Sequence, residues 1–101
     1  MYDNMVDVSF EWDKRKNDLN IEKHGVSFDV AQEAFHDPRR IISEDQSHSQ
    51  IEPRYYCFEL VEGAVLTVRF TYRRQVIRII GAGYWRQGKR FYEQENNLRR
   101  G

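Results

Sequence analysis

A chain of 101 residues with a single cysteine has the size of one domain, spanning residues 1–101, and excludes both an intramolecular disulfide and a cysteine-built metal site. Charged residues make up 32 % of it and no apolar run approaches the ~20 residues of a membrane span, which excludes a membrane-embedded chain and points to a soluble, cytoplasmic one. The formal net charge of zero hides a gradient: residues 1–37 carry four Lys/Arg against nine Asp/Glu, residues 38–62 three against five, and residues 63–101 nine against two, so the last third suits a polyanion or an acidic partner.

The opening MYDNMVDV has no basic stretch followed by an apolar one and does not read as a signal peptide. Val8 to Trp12 alternates apolar and polar residues, the period of a half-buried strand. Asp13 is placed to cap a helix running to about Lys23, and Gly25 to end it in a left-handed conformation. Ser27 caps a second helix, with Val26 and Ala31 at the spacing of a hydrophobic staple. Phe28, Ala31, Ala34 and Phe35 fall on one face of that helix, and Asp37-Pro38 stops it. Strands are expected over 39–43, 54–61, 64–73 and 76–82. Ser47 to Pro53 is a polar loop, and Glu62-Gly63 and Arg73-Arg74-Gln75 are tight turns. Such short connections make neighbouring strands antiparallel. Cys57, inside Tyr55-Tyr56-Cys57-Phe58, reads as a small buried residue rather than a nucleophile. Gly81 and Gly83 are expected to break the sheet, after which a helix over 85–97 closes the domain. The order β-α-α-β-β-β-β-α predicts an α+β fold. Its four- to five-stranded, mainly antiparallel sheet has two N-terminal helices and one C-terminal helix, packed on one face.

Three constellations bear chemistry. Lys16, Asn20 and Lys23 or His24 share one helical face, which suits a phosphate and a moving proton; a solvated helix surface is the alternative. Arg54, Arg69, Arg73 and Arg78 lie on three adjacent strands, where alternation gives Arg69 and Arg73 a common face. Arginine forks match phosphate geometry, although such charges also protect sheet edges. Tyr84, Trp85 and Arg86 follow the last strand, where an exposed ring can stack on a base or anchor the last helix. The spacing of Gly81 and Gly83 is not that of a dinucleotide-binding loop. His24, His36 and His48 lack metal-ligand spacing, so neither a metal nor another cofactor is expected.

The stretch FEWDKRKNDLNIEKHGVSFDVAQEAFHDP over residues 10–38 resembles the BrnT family, the toxin half of BrnT/BrnA pairs within the RelE-like superfamily. Further on, Glu52 with Arg54-Tyr55, then Arg73 and Arg78-Ile79-Ile80, then Tyr92-Glu93 are similar to its later motifs. Gly81-Ala82-Gly83 departs from the commoner Ser-Ala-Arg, and Arg86 stands one helical turn beyond the missing arginine. The resemblance implies a RelE-like fold and an endoribonuclease that arrests translation. It also implies a BrnA-like antitoxin that neutralises the toxin and carries the complex to promoter DNA. Metal-free RNA cleavage needs a base for the 2′-hydroxyl, cations for the phosphate and an acid for the leaving oxygen. On that reading Arg54, Arg73 and Arg78 clamp the phosphate, and Lys23, His24 and Tyr92 or Tyr84 move protons. Lys16, Asn20, Arg69, Tyr84, Trp85 and Arg86 then bind substrate. The charge gradient alone also allows a non-catalytic module that holds an acidic protein. No helix-turn-helix pattern supports a DNA-binding regulator acting alone.

Overall fold

The computed structural model describes residues 8–100. It contains β1 (Ser9–Trp12), α1 (Lys14–His24), α2 (Phe28–Glu33), β2 (Ile41–Glu44), β3 (Tyr55–Val61), β4 (Ala64–Arg73), β5 (Val76–Gly83) and α3 (Arg86–Arg100). Short 3₁₀ turns cover Ala34–His36 and Gln46–His48. The α+β order is the one expected from the sequence, and the expected residues make the boundaries. Asp13 accepts from the backbone N–H groups of Arg15 at 2.8 Å and Lys16 at 3.2 Å, which opens α1. Gly25, at φ 70°, closes it. Ser27 accepts from the N–H of Val30 at 3.2 Å and opens α2.

The strands lie in the order β1-β5-β4-β3-β2. The β2–β3, β3–β4 and β4–β5 ladders are antiparallel, and β1 runs parallel to β5. Glu62 and Gly63 both take positive φ in the first hairpin turn, the backbone twist that two-residue hairpins favour. Arg74 and Gln75, at φ 54° and 65°, do the same without a glycine.

Two expectations are corrected. Gly81 and Gly83 do not break the sheet, because β5 runs on through Gly83. The pairing moves from Phe70↔Ile79 to Arg69↔Gly81, so Ile80 is the extra residue of a bulge. Nor do the helices share one face. Val26, Phe28, Ala31 and Phe35 pack with Cys57, Leu66, Val68, Phe70, Ile77 and Ile79 on one side of the sheet. On the other side, Tyr92 and Phe91 of α3 pack with Ile41, Phe58 and Val65. The cause lies in β3 and β4, where Cys57-Phe58 and Val65-Leu66-Thr67-Val68 are buried without alternation. Strands apolar on both faces need cover on both.

Glu59 lies on the α2 side of β3 and is fully buried. Burial pushes its carboxyl from 4.5 up to about 9, and the charge of Asp37 adds to this, while the neighbouring Cys57 thiol and the charge of Arg40 oppose it. Burial, with Glu59 beside it, also holds the Cys57 thiol well above its ordinary value, so Cys57 is a protonated core residue. Folding therefore makes Glu59 bind a proton that the unfolded chain releases near 4.5. Its contribution is fully present below that value and is lost as the pH climbs towards about 9. The melting temperature, followed by circular dichroism, is expected to fall between roughly pH 5 and 9. Glu59→Gln is expected to flatten that fall and to melt at least several degrees higher at the alkaline end, where ~1 kcal/mol is worth about 4–8 °C. A fall of the same size in both proteins would contradict this account.

Candidate nucleic-acid interface

Helix α3 covers only part of its side of the sheet. Gly88 lies against Thr67 and Phe58 so closely that a Cβ there would collide with the Thr67 hydroxyl. Phe91 meets the Phe58 ring at 5.0 Å. Farther along the helix, the Tyr92 hydroxyl donates to Asp37 Oδ2 at 2.7 Å, and Asn96 Nδ2 donates to the carbonyl of Arg39 at 3.3 Å. On the same side of the sheet, alternation along β4 brings out Arg69 and Arg73. Arg78 pairs with Thr71 across the β4–β5 ladder, which puts it diagonal to Arg69. Arg54 stands one residue before β3. The register thus brings Arg69, Arg73 and Arg78 to one sheet face, and Glu52 joins Arg54 to Arg73 at its end.

Their surroundings differ. Arg78 Nη1 donates to Glu11 Oε2 at 3.0 Å, across the pair Glu11↔Arg78 of the parallel ladder. Arg73 and Arg54 lie 3.9 Å and 4.0 Å from the carboxylate of Glu52. Arg69 is half-buried and forms no ion pair among the described residues. It lines a cleft of about 590 Å³ with His48, Tyr56, Phe58, Trp85 and Phe91. A half-buried guanidinium without a carboxylate offers a fork of donors to an incoming anion. The aromatic walls offer stacking surface for a base.

The other predicted residues divide. Trp85 is 38 % exposed and its indole lies where a Cβ on Gly83 would sit. It thus both packs on β5 and lines the cleft. The His24 ring meets it edge-on at 5.2 Å, which brings the end of α1 to the same place. Lys23 is exposed in the last turn of α1. Lys16 is also exposed, and it and Arg78 both act on Asp13. Backbone hydrogen bonds from Lys16 and Arg15 hold the Asp13 carboxyl below its ordinary value, and the charges of Lys16 and Arg78 add to this.

Four predicted residues lie elsewhere. Tyr84 and Arg86 line a separate depression of about 310 Å³ beside Gly63 and Lys89. Tyr92 is buried against Asp37; burial and that carboxylate push its phenol up to about 12, so its hydroxyl serves the docking of α3. Asn20 is also committed. Its Nδ2 donates to the carbonyls of Val26 and Ala82, both at 2.9 Å, and its Oδ1 accepts from the N–H of Ala82 at 3.2 Å. β1 stops pairing at Ile79, so the Asn20 amide takes the place of a neighbouring strand for Ala82.

Sequence reasoning passed over His48 and Tyr56. His48 sits in a polar loop without periodicity. Tyr56 falls in an apolar run, where only its alternation against buried Cys57 signals the opposite face. Among the described residues, no three His, Cys, Asp or Glu side chains are grouped as a metal ion needs.

A family model described as the ribonuclease toxin BrnT of type II toxin–antitoxin systems matches residues 12–88. No curated protein matches the chain at a significant level.

Asn20→Ala leaves three buried backbone groups unpartnered and is expected to cost about 1–3 kcal/mol or more in urea unfolding. A loss below about 0.5 kcal/mol, the ordinary range of surface substitutions, would show that Asn20 does not hold the end of β5.

Proposed function

The chain belongs to the BrnT family of ribonuclease toxins of type II toxin–antitoxin systems, and from that premise we propose that it is a RelE-like, metal-independent endoribonuclease acting at the arginine face. An RNA target and an antitoxin protein partner go with the family. The finer reading is a cytoplasmic toxin that arrests translation by cutting RNA. A BrnA-like, DNA-binding antitoxin neutralises it and takes the complex to promoter DNA.

The observation that carries the reading is Arg69, half-buried in an aromatic cleft and unpaired with any carboxylate among the described residues. A scissile phosphate seated there receives a fork of charged donors, which gain strength as charge builds on the phosphate in the transition state. Arg54, Arg73 and Arg78 extend the positive field along the strand. Glu11 and Glu52 hold their side chains extended until an RNA backbone competes for them. Trp85, with His24 at its edge, stands where a base flanking that phosphate would stack.

Purified protein is expected to cut a single-stranded RNA in excess EDTA. Arg69→Ala is expected to lose about a hundredfold in kcat/KM, the usual worth of one transition-state donor, with its circular dichroism unchanged. Arg78→Ala is expected to lose less, because Glu11 already offsets its charge. Full activity in Arg69→Ala, or cleavage that returns only when Mg²⁺ is added, would contradict the mechanism. RNA bound but left whole would favour a non-catalytic binding module.

A further inference from the structure

His48 lines the cleft with Arg69, and a buried carboxylate stands behind it. Asp45, just after β2, is buried and gathers donors around its carboxylate. Ser47 Oγ donates to Oδ1 at 2.9 Å, and His48 Nδ1 stands 2.9 Å from Oδ2. The Tyr56 phenol also faces Asp45, and each shifts the titration of the other. Burial alone would raise the Asp45 carboxyl; the bonds from Ser47 and His48, with the nearby Tyr56 phenol, outweigh it and hold the group below its ordinary value. The turn is fixed at both ends. The N–H of Asp45 donates to the carbonyl of Arg54 at 2.7 Å. Ser49 Oγ donates to the carbonyl of Asp45 at 2.7 Å and accepts from the N–H of Arg54 at 2.9 Å.

An ionised carboxylate at Nδ1 selects the tautomer with its proton on that nitrogen, leaving a lone pair on Nε2. Nε2 has no partner among the described residues, and His48 lines the same cleft as Arg69. The oriented imidazole and the unpaired arginine thus share one cavity, with the buried Asp45 behind the imidazole. This is the arrangement of a base held by a third group beside a cation for the reacting phosphate.

We propose that His48, oriented by Asp45, is the catalytic base that takes the proton of the RNA 2′-hydroxyl at the Arg69 cleft. The role rests on the ribonuclease reading above and assigns its proton transfer to a residue outside the helix α1 face. The 2′-oxygen loses its proton to Nε2 and forms a bond to phosphorus. The bond from phosphorus to the 5′-oxygen breaks, and that oxygen leaves with a proton from water. The products are a 2′,3′-cyclic phosphate and a 5′-hydroxyl, and His48 returns its proton to solvent. Tyr56 has a different part. Burial, with Asp45 against it, raises its phenol, so it stays protonated and positions Asp45.

The test uses His48→Asn, whose amide N–H stands near the position of Nδ1 and keeps the bond to Asp45 but cannot take up a proton. It is compared with wild type and Arg69→Ala on a labelled RNA oligonucleotide and on its uncleavable 2′-O-methyl form. The expected result is a fall in kcat of about a hundredfold or more, binding of the 2′-O-methyl strand unchanged, and cyclic-phosphate ends from wild type. His48→Gly with added imidazole is expected to recover part of the lost rate. Cleavage by His48→Asn at the wild-type rate, while Arg69→Ala is impaired, would overturn the role of His48 and leave the arginine site standing. Wild-type protein that leaves RNA whole would overturn the ribonuclease reading, and this one with it.

Discussion

The contact between Gly88 and the Thr67–Phe58 patch sets how α3 meets the sheet. A side chain at position 88 would collide with the Thr67 hydroxyl and press on the Phe58 ring. Its absence lets the helix come down close to the strands, at the usual cost of a glycine inside a helix, about 1 kcal/mol. The docking fixes everything on that side. It seals Ile41, Phe58, Val65 and Tyr92 into a second small core. It also makes the start of the helix one wall of the cleft that Arg69 enters, while the strand ends that carry Arg73 and Arg78 stay exposed.

The opposite edge of the molecule solves a different problem. β1 is four residues long and cannot pair with the whole of β5. The chain fills the gap with a side chain in place of backbone, and Asn20 takes both polar groups of Ala82. As a result α1 contributes a buried amide where an ordinary packed helix contributes an apolar stripe. Its last turn then lies against Trp85. The same side chain thus holds the edge of the sheet and brings His24 to the rim of the cleft.

Much of this was legible in the sequence because the signals are local. Asp13, Gly25 and Ser27 act on backbone groups within four residues, so their caps read directly. The apolar runs over 54–61 and 64–73 and the turn residues between them locate the central strands. Alternation put Arg69 and Arg73 on one face before any pairing was known. What failed depends on distant partners. The bulge at Ile80 arises from registers on either side of it and has no mark of its own. The helices occupy both faces because β3 and β4 are apolar on both, a pattern that also fits a strand covered once. Asn20 reads as a polar helix residue until Ala82 is brought to it from 62 positions away. His48 gains its place only when the Asp45 turn folds against β3. The family motif pointed to Arg54, Arg73, Arg78 and the toxin class, and alternation to Arg69, but the division between paired and unpaired arginines comes from the carboxylates the fold sets beside three of them.

That division is the centre of the account. Exposed ion pairs such as Arg78–Glu11 contribute little stability and exchange readily with another anion. Arg69 needs no exchange at all, since among the described residues no carboxylate pairs with it. RNA should therefore be drawn to the cleft first and to the strand ends second. The most direct measurement is an NMR titration with a short 2′-O-methyl RNA that cannot be cut. The account predicts the largest shift changes at Arg69, Trp85 and His48, followed by Arg73 and Arg78. Changes confined to α2 and the acidic N-terminal third, with the Arg69 and Trp85 signals unmoved, would contradict it.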